Sequence, residues 1–213
     1  MTRQLVTADH ILTGFAPDGT PQIIADGAIL IDGDRISRIG PAAALRRDVP
    51  GLPEIGGAGR VAIPGLINAH HHVGLTPFQM GARDQPLELW FPERLAMRDV
   101  DPRLDTLYSA FEMIASGVTT VQHLHSRAPG DTDAVLARAD TIIGAYRELG
   151  MRASYSFALR DQNRMIYAAD EDFIASLPVP LRVPTAAYLS GFQLPLADQI
   201  PVFHALRDRW ADD

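Results

Sequence analysis

Apolar strand-like segments alternate with amphipathic helical segments from Val61 onward, and this order constrains the fold more than any other feature of the sequence. Three runs are strand-like, at residues 66–72, 118–125 and 151–159. Two helical stripes lie between them: Leu104, Leu107, Tyr108, Phe111 and Ile114, then Val135, Leu136, Ala139, Ile142, Ile143, Tyr146 and Leu149. Strands that alternate with helices form a parallel sheet covered by helices, so the sequence predicts an α/β fold.

The first sixty residues carry a different pattern, which predicts a small β unit. The apolar run 28–31 leads into Asp32-Gly33, and the alternating residues 35–39 follow. Asp-Gly between two such runs is a strong hairpin signal. Because residues 51–59 are rich in glycine and proline, we expect a boundary there, with one domain at 1–60 and another at 61–213.

Composition removes several classes of function. The chain has no cysteine, which excludes disulfides, thiolate metal sites and cysteine nucleophiles. Its net charge of −7, without a basic cluster, argues against nucleic-acid binding. No apolar stretch reaches the ~18 residues of a membrane span, and no secretory signal is evident. We therefore expect a soluble cytoplasmic protein that binds neither nucleic acid nor membrane.

The segment 64–72, Pro-Gly-Leu-Ile-Asn-Ala-His-His-His, is the feature that carries chemistry. Residues i and i+2 of a strand point to the same face, so His70 and His72 project together while His71 points the other way. Two imidazoles side by side at the end of a strand can bind one divalent ion, and imidazole suits zinc and iron. The alternative is a pair of structural or surface histidines.

Residues 63–72 resemble the first barrel strand of the metal-dependent amidohydrolase superfamily. The hairpin at 27–36 resembles the small β-sandwich that precedes the barrel in this family, and residues 115–121 resemble its helix end and second strand. Residues 87–91 resemble a loop over the pocket in the branch that includes triazine hydrolases and cytosine, guanine and S-adenosylhomocysteine deaminases.

The resemblance implies a partial (β/α)₈ barrel at 61–213, with about the first three β/α units, preceded by a β-sandwich portion at 1–60. It implies hydrolysis of a non-peptide C–N bond in a small cyclic nitrogen-containing substrate, by deamination or a related reaction, through a metal-activated hydroxide. His70 and His72 match the first two metal ligands of the family. We expect one divalent ion, zinc first and iron as the alternative. The remaining ligands and the acid/base residues belong to later strands and are not assigned.

Four further residues are candidates for substrate contact. Gln79 follows the metal strand and could donate to a ring heteroatom, and Trp90 could stack on a flat substrate or pack against a helix. His123 and His125 form a second His-x-His at a strand end. They either face the pocket or are hydrogen-bonded structural histidines.

Residues 61–213 are fewer than the ~200 that a complete barrel needs. We therefore expect the N-terminal part of a longer protein, inactive or unstable when expressed alone. One alternative is a truncated, catalytically inactive remnant, and a further one is another His-x-His barrel hydrolase, such as a phosphotriesterase-like enzyme. The resemblance also leaves a homo-oligomer open.

Overall fold

A computed structural model describes residues 3–72, 81–98, 100–125, 129–158, 162–191 and 194–211. The chain separates into two compact units, Met1–Gly65 and Leu66–Asp213. The domain boundary at 60/61 stays a prediction. The architecture is mixed α/β, as the sequence predicts, whereas a partial barrel and a sandwich remain interpretations.

The first unit is a four-stranded sheet with one short helix. Its elements are β1 (Arg3–Phe15), β2 (Pro21–Asp32), β3 (Arg35–Pro41), α1 (Ala42–Asp48) and β4 (Glu54–Ala62). The strand order is β3-β2-β1-β4, with β1 antiparallel to β2 and parallel to β4. Asp32 pairs with Arg35 across the hairpin turn, and Gly33 has a φ of 63° there. Leu5, Leu30 and Leu45 lie in the core between the sheet and α1.

The second unit is built on a parallel sheet in the order β5-β6-β7. Its elements are β5 (Leu66–His71), α2 (Leu87–Ala96), α3 (Pro102–Ala115), β6 (Val118–His125), α4 (Thr132–Glu148), β7 (Arg152–Phe157), α5 (Asp170–Ser176), α6 (Val179–Ser190) and α7 (Leu196–Arg209). Residues 87–91, which resemble a pocket loop, begin α2. The third strand ends at Phe157, before the predicted limit of 159, which lies outside the described residues.

Local signals start and stop the two helices that cover this sheet. The Asp101 and Asp131 side chains accept hydrogen bonds from the amides of Leu104 and Ala134, which caps α3 and α4. The core between these helices and the sheet contains Ala110, Met113, Val121, Ile142, Tyr146 and Met151. Both helices therefore pack on one face of the parallel sheet.

Helix α3 turns a different side to the sheet than the apolar stripe predicts. The small side chains of Ser109 and Ala110 are buried, together with Met113. In contrast, Tyr108 is 48% exposed and Phe111 is 58% exposed. Small residues let the helix approach the sheet closely, and the apolar stripe then remains on the outside of the described structure.

Candidate metal centre at the end of the parallel sheet

His70 and His72 bring their ring nitrogens together beyond the end of β5. The two Nε2 atoms are 3.1 Å apart, and the rings are nearly perpendicular, with centroids 4.9 Å apart. Two lone pairs cannot face each other at this distance without repulsion. The contact therefore requires a proton or a cation between the two nitrogens.

The orientation of the His72 ring is set by the neighbouring strand. Its Nδ1 atom lies 2.9 Å from the carbonyl oxygen of Leu124 in β6. A carbonyl oxygen only accepts, so the Nδ1 atom carries a proton and donates it. In the neutral ring, Nε2 then keeps its lone pair and directs it toward His70. Histidine ligands commonly donate their second ring nitrogen to a carbonyl in this way.

The pair fits a divalent ion of the kind that imidazole binds. Zinc–nitrogen bonds of ~2.0–2.1 Å that meet at about 95–110° separate the two nitrogens by about 3.0–3.4 Å. The observed 3.1 Å lies within this range. Within the described ranges, however, no group of three or more His, Cys, Asp or Glu residues is arranged to hold a metal.

A β-bulge decides which histidines lie on which face of the sheet. Asn68 pairs with Val121, but the next paired residue on β5 is His71, which pairs with His123. From one pair to the next, β5 advances by three residues while β6 advances by two. The extra residue on β5 is a bulge, and it reverses the face to which the side chains after it point. His71 consequently lies on the face packed by α3 and α4, as Asn68 does. His70 and His72 lie on the opposite, open face.

His71 is half-buried on the helix-packed face. Burial lowers its pKa first and the nearby His72 lowers it further, whereas Asp105 and Glu112 on α3 oppose the shift. Its Nε2 atom has no hydrogen-bond partner in the described part of the chain. The expectation that His71 points away from the other two histidines agrees with this geometry.

His123 and His125 are buried on the face that α4 covers. His123 Nδ1 lies 3.0 Å from the Tyr146 hydroxyl, and His123 Nε2 lies 3.4 Å from His125 Nδ1. The Tyr155 ring packs 5.2 Å from that of His123. Burial, with smaller contributions from the neighbouring histidines, lowers the pKa of His123 to about 3, so the ring is neutral near pH 7. This environment favours the structural alternative over substrate contact.

The other two substrate candidates are Trp90 and Gln79. Trp90 is half-buried within α2 rather than in a loop. Gln79 lies outside the described residues. Their contact with a substrate stays a prediction.

Two polar residues on the open face were not found from the sequence. Gln122 Nε2 donates to Ser156 Oγ over 3.2 Å, and Ser156 Oγ donates to the carbonyl of His123 over 3.3 Å. Both residues lie on the face of the sheet that carries His72. The alternation of Gln122 with the buried Val121 and His123 could have indicated this orientation, because β-strand side chains alternate between faces.

An apolar pocket in the second unit is separate from the histidine pair. It encloses about 880 Å³ between α4, β7 and α7. Tyr146, Tyr155, Phe203 and Trp210 contribute to its walls. Neither His70 nor His72 is among the described residues that line it, so this pocket is not part of the candidate metal centre.

Known proteins share both sequence and fold with this chain, although no family model matches it. It is 32% identical over 137 residues to a 5-methylthioadenosine/S-adenosylhomocysteine deaminase of Moorella thermoacetica, covering 62% of this chain and 29% of the relative. It is 32% identical over 138 residues to a 5'-deoxyadenosine deaminase of Methanocaldococcus jannaschii, covering 62% and 30%. The chain therefore spans about three tenths of the length of these curated relatives.

A solved structure extends the likeness to nearly the whole chain. The atrazine chlorohydrolase of Arthrobacter aurescens, complexed with zinc, superposes with a TM-score of 0.68 and 23% identity. The match covers 97% of this chain and 43% of that one. At this identity the likeness shows the shared fold.

Proposed function

The chain resembles the N-terminal part of the metal-dependent amidohydrolase superfamily, in the branch of triazine hydrolases and adenosine-type deaminases, and on that premise we propose metal-dependent hydrolysis of a non-peptide C–N bond. The observation that carries this proposal is the approach of His70 Nε2 to His72 Nε2 at 3.1 Å. The activity belongs to a longer parent chain, because this chain spans only part of its relatives.

The proposed reaction replaces an amino group by oxygen. A C–O bond forms from water and the C–N bond breaks. One proton of water completes the ammonia that leaves, and the other stays on the product ring. A bound divalent ion supplies Lewis-acid activation of water at neutral pH. His70 and His72 hold this ion, and the Leu124 carbonyl orients His72. Zinc is the first candidate, since the chlorohydrolase is complexed with zinc, and iron is the alternative.

The proposed substrate class is an adenosine derivative with a free amino group on its ring. The relatives are named for 5-methylthioadenosine, S-adenosylhomocysteine and 5'-deoxyadenosine, which share this ring. Trp90 and Gln79 remain candidates for ring contact, whereas His123 and His125 support the sheet. A cytoplasmic location belongs to the same proposal.

We propose further that residues 61–213 form about the first three β/α units of a barrel, and that residues 1–60 belong to a β-sandwich. Three parallel strands with helices on one face support the barrel. The exposed Phe111 on α3 and Ile67 on the open face of β5 fit surfaces that further elements would cover. An exposed apolar surface also fits a homo-oligomer.

A second candidate function is metal binding without turnover. It is favoured by the donor set of the described residues, in which no group of three or more metal-binding side chains forms. Two imidazoles alone leave most of the coordination sphere of zinc to water. The two candidates differ in whether a longer parent chain supplies the missing ligands.

Metal titration of the 213-residue chain tests the site. We expect one zinc or cobalt ion per chain, and a large loss of affinity in His70→Ala and in His72→Ala. His204→Ala is the matched control, because His204 is exposed on α7. Equal metal affinity in all four proteins would overturn the assignment of the ligands.

Ammonia release from 5'-deoxyadenosine tests the reaction. We expect no turnover by the zinc-loaded 213-residue chain, and turnover by a parent chain of the relatives' length that His72→Ala abolishes. Robust turnover by the 213-residue chain would contradict the proposal that the activity needs a longer parent chain. A metal-loaded parent chain that releases no ammonia from any of the three adenosine derivatives would contradict the proposed substrate class.

A further inference from the structure

We propose that Asn68 is a positioning residue, whose side chain holds the β-bulge that directs His70 and His72 to the open face. The role of Asn68 in metal binding rests on the proposed function, whereas its role in directing the His70 and His72 rings does not. The inference starts from the register of β5, in which Asn68 and His71 pair with Val121 and His123, with one extra residue between them.

The extra residue of a bulge loses its place in the ladder of hydrogen bonds. Here the Asn68 side chain supplies a replacement, because its Oδ1 atom accepts from the backbone N–H of His70 over 3.2 Å. Asparagine commonly bonds the backbone two residues onward in this way. The contact stabilises the backbone turn at the residue that carries the first imidazole.

The other end of the same amide is held by helix α3. Asn68 Nδ2 donates to the sulfur of Met113 over 3.6 Å, and Met113 is buried in the core between α3, α4 and the sheet. Sulfur is a weak acceptor and the N–H···S contact requires the NH₂ group on that side. The amide therefore points its oxygen at His70, and the core fixes the direction.

Loss of the two contacts made by the Asn68 amide would change the face of the sheet on which the His70 ring lies. In a strand without the bulge, His70 would lie on the same face as Asn68, since the two are two positions apart. That face is packed by α3, and His70 and His72 would turn away from the open side. By stabilising the bulge, Asn68 thus decides whether the two imidazoles can bind a metal ion on the open face.

Two substitutions at Asn68 separate the roles of its two ends. Asn68→Asp keeps an oxygen that can accept from His70, whereas Asn68→Leu has similar size and no acceptor. Met113→Leu retains the packing and removes the sulfur. We expect the geometry to survive in Asn68→Asp, because either carboxylate oxygen can accept from His70. We expect it to weaken in Met113→Leu, because the amide of Asn68 can then turn its NH₂ group toward His70. We expect it to fail in Asn68→Leu.

The first experiment measures ring proximity by NMR in the metal-free 213-residue chain. We expect a nuclear Overhauser effect between the ring protons of His70 and His72 in the wild type and in Asn68→Asp, and its loss in Asn68→Leu. The contact of His123 with Tyr146 on the other face reports whether each variant is folded. A ring contact that persists in folded Asn68→Leu, or is absent from the wild type, would overturn the inference.

The second experiment measures zinc affinity in the same proteins. Loss of a group that orients a ligand costs about 10- to 100-fold in metal affinity, and we expect a loss of this size in Asn68→Leu and rescue by Asn68→Asp. Equal affinity in both variants would contradict the inference. A wild-type chain that shows the ring contact but binds no zinc would contradict the proposed function and leave the role of Asn68 in the bulge standing.

Discussion

The Nδ1 atom of His72 and the carbonyl oxygen of Leu124 lie 2.9 Å apart, across 52 residues of sequence. This hydrogen bond joins the residue after β5 to β6 and leaves the Nε2 lone pair of His72 directed at His70. Because the acceptor belongs to the backbone, the residue type at position 124 carries no signal for it. The tautomer of a candidate ligand is thus decided by strand pairing.

The buried His123 makes stability depend on pH. Its pKa is about 3 in the folded chain, against 6.5 without burial, so the unfolded chain binds the extra proton between these values. Its contribution is complete above about pH 6.5 and is lost progressively as the pH falls toward 3. We expect a slope of up to about 1.4 kcal/mol per pH unit from this single proton, measured by urea unfolding.

His123→Phe should flatten this part of the pH profile, and His204→Phe should leave it unchanged because His204 is exposed. The described groups that act on His123 are His125, Tyr146 and Tyr155, with weaker effects from His71 and His72. Burial raises the pKa of both tyrosines, so neither titrates in this range. An unchanged slope in His123→Phe would show that another group is responsible.

The Tyr146 hydroxyl is the partner of a buried ring nitrogen. Tyr146→Phe removes the hydrogen bond to His123 Nδ1 and leaves that atom buried without it. We expect a loss of about 1–3 kcal/mol in the free energy of unfolding, measured by urea denaturation. Tyr167→Phe should cost little, because Tyr167 is 93% exposed. Equal effects of the two substitutions would contradict this account.

Arg164 and Asp170 form a shielded ion pair at the start of α5. Their side chains are 12% and 7% exposed, the Nε–Oδ2 distance is 2.8 Å, and Arg164 Nη1 also donates to the Leu189 carbonyl. Burial alone would raise the pKa of Asp170, but the hydrogen bonds from Arg164 outweigh it and hold the pKa below its usual value.

Arg164→Leu removes the cation beside the buried carboxylate and leaves it only backbone N–H donors among the described residues, so we expect a loss of up to about 3–5 kcal/mol in the free energy of unfolding. The double variant Arg164→Leu/Asp170→Leu should recover part of that loss, because no unpaired charge remains. The free energies of unfolding of both variants, measured by urea denaturation, check that the double variant is the more stable of the two. A double variant less stable than the single one would contradict the prediction.

Gly56 in β4 leaves no room for a side chain. A Cβ atom there would lie 2.2 Å from the Thr7 carbonyl oxygen, and the φ of Gly56 is +95°. The neighbouring Gly57, with a φ of +113°, has no atom within 4 Å of the same position. We expect Gly56→Ala to lower the melting temperature of the first unit clearly more than Gly57→Ala, which isolates the clash from the backbone strain. Equal melting temperatures would contradict it.

The sequence by itself determined the elements and the chemistry available to them. The Asp32-Gly33 turn and the alternation of strands and helices depend on residues close in sequence, and these features appear as predicted. The spacing of His70 and His72 likewise predicts a pair of neighbouring imidazoles. Such signals are readable because turns, caps and hydrophobic periods are set by contacts within a few residues.

Only the tertiary structure decided how these parts face one another. The bulge after Asn68, the burial of His123 under α4 and the exposure of Phe111 on α3 depend on groups many residues away. Periodicity gives the two sides of a helix or strand but not which side a neighbour covers, because that choice depends on how closely the two backbones can pack. The candidate site therefore takes its two imidazoles from local sequence and their direction from the pairing of β5 with β6.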